Sequence, residues 1–359
     1  MSKLSFNNNG QVFFASLKKS VEEYFTSKGI KKTGNWKLYS KTLILFPLAI
    51  ANYCFLLFGS YSTFAGVLLC IVMGFTLVSI AFNVMHDACH RSYSSRDWVN
   101  ELLSLTTNAL GSNAFIWKLK HNIIHHTYTN IDGIDEDISN SPFLRSAPTQ
   151  KRLYLHRFQH IYMFFLYAIS ILGWLYFNDF KKYFRRRIVV TEMKMPVKEH
   201  FLFWISKLLY IGFYVVLPIF MVGFIPWLVG YMIIMMVLGL VMTIIFQLAH
   251  VVEKTSFEHS HNESRQVLET EWAVHEIKTT ANFAPKNKII SWFVGGLNFQ
   301  VEHHLFPRIS HIHYPAISKI VQQHCQKFNL PYHVYDTTRA AVASHIRLMK
   351  QFGQGNFAA

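Results

Sequence analysis

Five stretches of the chain are apolar almost without interruption: residues 43–59, 63–85, 161–177, 201–224 and 226–249. A helix that spans a bilayer needs about 20 such residues, with roughly 17 as a lower limit. The second, fourth and fifth stretches exceed that requirement, and the first meets its limit. Only Ser60, Tyr61 and Ser62 separate the first two, and little more than a turn around Pro226 separates the last two. Each pair reads as a helical hairpin. Neither tip carries Lys or Arg. The opposite ends carry Lys18, Lys19, Lys31, Lys32, Lys37 and Lys41, then Lys181, Lys182, Arg185, Arg186 and Arg187. Such charge marks the cytoplasmic side.

Residues 161–177 decide the topology. A crossing there would put Lys181 to Arg187 outside and divide the flanking histidines between the two membrane faces. The stretch is short, and Asn178, Asp179 and the basic cluster follow it at once. It is therefore predicted to be interfacial or re-entrant, which leaves four crossings. Residues 102–117 and 289–299 are apolar but too short to span, and are placed at the interface as well. Residues 11–27 repeat Phe13, Phe14, Leu17, Val21, Tyr24 and Phe25 near helical spacing, with lysines between. They predict a helix on the membrane surface or packed on the soluble face. The expected fold is all-α and integral to a membrane. It has four transmembrane helices in two hairpins, interfacial helices, and a cytoplasmic histidine-rich cap. Residues 1–42 form a cytoplasmic amphipathic segment, 43–332 the membrane domain and 333–359 a cytoplasmic C-terminal tail.

Composition supports lipid as the solvent. Of 359 residues, 51% are hydrophobic and 15% charged, against about a quarter charged in a soluble protein. The net charge of +15 follows the positive-inside pattern rather than a soluble basic face, so no nucleic acid partner is expected. The four cysteines are scattered without a CxxC pair, as for reduced thiols. No apolar core follows the first residues, so they do not read as a signal peptide.

The candidate chemistry lies in histidines. His86 and His90 stand four apart just beyond the second crossing; His121 and His125 repeat that spacing, and His126 adjoins them. Residues four apart share one helix face. Gln300, His303 and His304 follow the last interfacial stretch, and His250 closes the final crossing. One HxxxH pair arises easily by chance, and a lone His at a helix C-terminus also suits the dipole there. Three groups at helix ends on one expected face point to a shared metal site. Seven or eight imidazoles exceed the three ligands of a catalytic zinc and suit two metals. No HExxH occurs, and imidazole accepts iron, copper and zinc alike. Asp87, Asp132, Asp135 and Asp137 are read either as acceptors for ligand-histidine N–H groups or as a polar interfacial loop. His156, His160, His259, His261, His275, His311 and His313 exceed the need of such a site and are taken mainly as surface or hydrogen-bonded residues.

HDACH at 86–90, HNIIHH at 121–126 and QVEHH at 300–304 resemble, in that order, the three histidine boxes of the membrane fatty acid desaturases. The likeness extends through HHTYTNIDGIDEDI at 125–138, WAVHEIKTTANFA at 272–284 and HHLFPRISHIHYPAI at 303–317, covering about residues 42–332. The resemblance implies an enzyme that uses two irons and O2 to place a cis double bond in a fatty acyl chain carried by CoA, lipid or carrier protein. It implies His86, His90, His121, His125, His126, His303 and His304 as ligands, with His250 as the extra histidine at the last crossing. No further catalytic group or organic cofactor is implied. Gln300, Asp87, Asp135, Asp137, His275 and Asn282 are possible ligands or outer partners. One branch carries an Asn one turn before the extra histidine, where this chain has Phe246. Trp117, beside the second box, is assigned to the interfacial aromatic belt ahead of an acyl tunnel. Gln at the start of the third box is typical of the front-end branch (delta-5 or delta-6 type), which acts between an existing double bond and the carboxyl end. The haem-binding HPGG of a fused cytochrome b5 domain is absent from the sequence, so a separate donor of ferredoxin or cytochrome b5 type, with its reductase, is expected. The active site and both termini are expected in the cytoplasm, on a plasma or inner membrane in a bacterium or the endoplasmic reticulum in a eukaryote. The competing expectations are a hydroxylase or ketolase on the same scaffold and a non-catalytic metal-binding or transport protein.

Overall fold

A computed structural model describes residues 4–7, 12–139, 142–189, 191–260 and 266–355. Helices dominate it: α1 (Val12–Lys28), α2 (Trp36–Phe58), α3 (Thr63–Cys89), α4 (Asp97–Ser104), α5 (Thr106–Ala109), α6 (Ala114–Lys118, continued by a π-type segment Leu119–His125) and α7 (Glu136–Ser139). Then come α8 (Tyr154–Arg185), α9 (Val197–Val222), α10 (Phe224–His250), α11 (Trp272–Thr279), α12 (Lys288–Phe293), α13 (Gln300–Leu305), α14 (Tyr314–Lys327) and α15 (Thr338–Gln354). Short two-stranded pairs fasten the loops, such as Leu4–Phe6 on Gln266–Leu268 and Ile131–Asp132 on Glu258–His259.

Among the described residues, α2, α3, α8, α9 and α10 are long and apolar enough to cross a membrane. The two hairpins form where the sequence places them. Asn35 caps α2 by accepting from Lys37 N at 2.9 Å, and Ser62 caps α3 by accepting from Ala65 N at 3.3 Å. The second turn falls on Gly223, at φ +86, a conformation that glycine adopts without penalty. Pro226 therefore lies inside the first turn of α10, where its missing N–H costs no helix bond. α10 packs closely on both neighbours. A Cβ on Gly74 of α3 would lie 2.7 Å from Val237, and one on Gly239 would lie 2.5 Å from the Ala168 carbonyl of α8. Small residues permit such approach where no hydrophobic force drives helices together in lipid.

The fifth apolar helix is α8, longer than the interfacial helix expected over 161–177. Polar residues on both sides of that stretch continue the helix, so hydropathy marks only its middle. Both its ends tie to the segment that follows the second histidine box. Gln159 accepts from Arg145 N at 2.8 Å and His156 Nε2 meets Pro142 O at 2.9 Å at one end. Lys182 meets Glu136 at 2.5 Å at the other.

Other expectations are reshaped. Residues 102–117 form no continuous helix, because Asn108 and Asn113 turn the chain: Asn108 Oδ1 accepts from Ala114 N and Asn113 Oδ1 caps α6. Over 289–299 only α12 is helical, and the chain turns at Gly295 and Gly296. Helix α1 buries Phe13, Leu17, Val21 and Phe25 against Ala273, Ile277, Val301, Ile317 and Val321, which packs it on α11, α13 and α14; Gln11 lies outside the described residues. Residues 333–355 do not trail away. Val334–Tyr335 pairs with Asn282–Phe283, and α15 buries His345, Leu348, Met349 and Phe352.

Candidate metal centre

Helix α3 runs into the first box by way of a π-type segment, Ala81–Met85, a feature frequent at functional sites, and ends at Cys89 with His90 as its C-cap. His86 and His90 consequently share a face, with ring centroids 4.7 Å apart. The second box continues α6 in the same way, and His121 lies 5.3 Å from His86 and 5.2 Å from His90. The third box is helix α13, which brings the His303 ring to 4.5 Å from His86 and the His304 ring to 5.0 Å from His125. His250, the last residue of α10, lies 4.8 Å from both His125 and His304.

Two groups result. His86, His90, His121 and His303 each offer a ring nitrogen within 4.8 Å of the others, and so do His125, His250 and His304. His126 joins them through a set with His303 and His304, and Asp137 through a set with His121 and His125. The Nε2 atoms of His90, His121, His125, His126, His250, His303 and His304 are buried and have no hydrogen-bond partner among the described residues. Buried ring nitrogens are normally satisfied; so many convergent ones fit metal coordination. Burial, with neighbouring imidazoles second, holds His121, His126, His303 and His304 well below the ordinary imidazole pKa. They are thus neutral, the form that binds metal. Burial pulls His125 down most strongly of any single cause, but the Asp135 and Asp137 carboxylates together turn the net direction upward.

Outer partners fix the rings. His125 Nδ1 lies 3.1 Å from Asp135 Oδ2, and His304 Nδ1 lies 2.7 Å from Glu276 Oε2. His250 Nδ1 faces the Thr279 carbonyl at 3.4 Å, and His303 Nδ1 faces the Tyr314 hydroxyl at 3.0 Å. Thr129 donates to Glu276 at 2.8 Å. Burial pushes the Glu276 carboxyl well above the usual range, and a cation held by His304 would oppose that and favour the carboxylate.

A sequence model described as "Fatty acid desaturase" matches residues 62–336, which include every one of these histidines. The chain belongs to the fatty acid desaturase family. It is 35% identical to an "sn-1 linoleoyl-lipid 6-desaturase" of Arthrospira platensis, over 94% of this chain and 92% of the relative. It is 38% identical to an enzyme of the same description from Synechocystis, over 95% of each. It is also 32% identical to an "Acyl-lipid (8-3)-desaturase" of Physcomitrium patens, over 96% of this chain and 72% of the relative. The protein is accordingly a desaturase, an oxidoreductase of lipid metabolism and a multi-pass membrane protein.

In this desaturase a cavity of about 440 Å3 opens on the histidines, walled by His86, His121, His250, His303, Trp117 and Phe246 among others. Trp117 is therefore no belt residue. It is buried, stacks on His121 at 4.3 Å and faces the cavity. Phe246 packs on His125 and His250 at 5.0 and 4.8 Å, where a polar contact is absent. Asp87 departs from expectation too. Its carboxylate meets His311 Nδ1 at 3.0 Å and accepts from Ser310 at 2.7 Å, so it holds the segment after the third box rather than a box imidazole. Asp137 lies 3.7 Å from His125 and pairs with Lys120, while Asp132 accepts from Thr149 and Gln150 in a loop. His275 contacts the Thr129 carbonyl at 2.8 Å, one step removed from the rings. Asn282 bridges Glu302, Tyr332 and the Val301 N–H, which fixes α13. Gln300 is buried in the cavity wall beside His303. His156 and His313 are hydrogen-bonded to carbonyls, and His261 lies outside the described residues. Glu276, Thr129 and Tyr314 were not foreseen from the sequence.

Proposed function

We propose that this desaturase is a di-iron, O2-dependent enzyme of front-end type, acting on an acyl chain carried by a membrane lipid. The observation that carries this reading is the cavity whose wall contains His86, His121, His250 and His303. It lets an apolar chain lie against both histidine groups. The lipid carrier and the front-end position follow the printed activities of the relatives, which are acyl-lipid desaturases of 6- and (8-3)-type, and Gln300 in the third box.

His86, His90, His121, His125, His126, His250, His303 and His304 are the proposed ligands. Two irons bound there would supply O2 activation and the power to remove hydrogen from two adjacent methylenes. The protein's own groups do the positioning. Trp117, Met85 and Phe246 confine the chain, which fixes which methylenes face the centre. Asp135, Glu276, Tyr314 and the Thr279 carbonyl orient the imidazoles. Burial of the rings excludes water. Electrons come from a separate donor of ferredoxin or cytochrome b5 type, with its reductase.

The same geometry supports four crossings and a cytoplasmic site. His86 lies in the last turn of α3 and His250 closes α10, yet both belong to one centre. Both ends of α8 tie to residues 136–145 on that face, so α8 makes no net crossing. A reporter placed after Arg187 reads cytoplasmic under this topology; a luminal or periplasmic signal refutes it. The decisive functional test is expression in a host of defined lipids, with mass spectrometry of the fatty acids. The expected product has lost two hydrogens between an existing double bond and the carboxyl end. An added oxygen would establish a hydroxylase instead. Purified protein without iron, together with no change in host lipids, would establish a metal-binding or transport protein.

A further inference from the structure

The acyl cavity has a second, charged compartment at its rim. A cleft of about 170 Å3 is walled by Glu136, Asn178, Lys181, Lys182, Arg185 and Arg187, and it shares Asn178 and Lys182 with the acyl cavity. Four cations thus face one carboxylate, and that carboxylate is already engaged by Lys182 at 2.5 Å. The Lys182 side chain is 8% exposed, while Lys181, Arg185 and Arg187 remain exposed to a ligand. The backbone is bent to make this arrangement. Arg186 and Val189 hold φ of +50 and +49, and a β-branched residue in that region is a genuine outlier. Strain of this kind persists where the surroundings enforce it, and it clusters at functional sites. Here Ile188, fully buried against the Phe203 cluster, and the bond from Met193 N to Arg186 O at 2.8 Å enforce it. Arg185 and Arg187 line the same cleft on either side of Arg186.

We propose that this cleft binds the phosphate of the glycerolipid whose acyl chain enters the adjoining cavity. The inference rests on the acyl-lipid reading above and specifies its headgroup. Arginine matches phosphate oxygens with paired, charge-assisted hydrogen bonds. Cations at a helix C-terminus also suit the dipole and the positive-inside rule. Neither requires them to converge on a cleft that shares a wall with the acyl cavity. The run Asp135, Glu136, Asp137 joins the two sites: Asp135 and Asp137 face His125, and Glu136 holds Lys182. Fixing the headgroup therefore fixes the span from the ester to the centre, which a front-end enzyme needs.

The test titrates the purified full chain with dioleoyl phosphatidylglycerol, dioleoylglycerol and oleoyl-CoA, read by native mass spectrometry. One variant is Lys181→Gln/Arg185→Gln/Arg187→Gln. A control, Lys18→Gln/Lys19→Gln/Lys28→Gln, removes the same charge from exposed positions of α1. Phosphatidylglycerol binding should weaken about tenfold or more in the cleft variant and stay unchanged in the control, with dioleoylglycerol bound equally by all three proteins. Equal binding throughout, or equal loss in the control, overturns the proposal. Oleoyl-CoA bound more tightly than the phospholipid and lost in the cleft variant assigns the cleft to CoA phosphates and overturns it as well. Host lipids separate its failure from that of the functional reading. If the wild type desaturates and the cleft variant yields the same distribution over lipid classes, only the headgroup site falls. A wild type that makes no unsaturated product removes the functional reading itself.

Discussion

The two histidine groups line one cavity, yet the protein holds them differently. His125, His250 and His304 each present the second ring nitrogen to an anionic or carbonyl acceptor: Asp135, the Thr279 carbonyl and Glu276. In the other group, among the described residues, only His303 has such a partner, and it is the neutral phenol of Tyr314. His86, His90 and His121 are held by ring packing, with Trp117 stacked on His121 at 4.3 Å. A carboxylate behind an imidazole fixes its tautomer and raises its basicity as a ligand. A ring held by packing keeps its place but gains no charge. The first group is thus a fixed anionic seat. The second supplies most of the histidines in the cavity wall and adjusts to what lies there.

The largest effect expected is loss of function from either group. His304→Ala and His121→Ala should each abolish unsaturated product in the lipid assay and lower the iron content of purified protein. A variant that keeps half the wild-type product removes that histidine from the ligand set. Next in size are the outer carboxylates. Glu276→Gln and Asp135→Asn should weaken metal retention about 10–100-fold, measured as iron left after a timed chelator challenge. If the groups differ as argued, the first iron equivalent leaves much faster than in wild type and the second at the wild-type rate. Simultaneous loss of both would mean that the centre behaves as one unit.

How much of this could be read in the sequence follows from the range of each interaction. His86 with His90 and His121 with His125 are local, and helical spacing places them without knowledge of the fold. The same rule separates Asp87 from the box imidazoles. One residue beyond His86, it points to another face of α3 and reaches His311 instead. Trp117 stands four before His121, so the spacing that pairs the histidines also pairs this ring with the box. Assigning it by composition missed that. Glu276 and Tyr314 had no such signal: their partners are 28 and 11 residues away and meet only through the packing of α11, α13 and α14. The extent of α8 was hidden for a related reason. Hydropathy sees its apolar middle, whereas its ends are set by contacts to residues 136–145.

Trp117→Leu probes the packed group without touching a nitrogen. Iron content should stay at the wild-type value while product falls several-fold through a raised KM, because the ring that confines the chain is lost. Iron lost along with activity would show that packing against Trp117 is what holds His121.

The smallest effect tests whether the neutral partner matters. Tyr314→Phe removes the hydroxyl 3.0 Å from His303 Nδ1 and leaves the buried ring in place. A neutral hydrogen bond contributes about 0.5–1.5 kcal/mol, so metal retention should fall by no more than about tenfold, less than for Glu276→Gln. The same chelator time course measures both variants side by side. The ordering follows from charge. A carboxylate facing a cation-bound imidazole stabilises it through field as well as hydrogen bond, and a phenol through the hydrogen bond alone. If Tyr314→Phe costs as much as Glu276→Gln, orientation of the ring rather than anionic character sets the affinity, and the two groups are held by one principle.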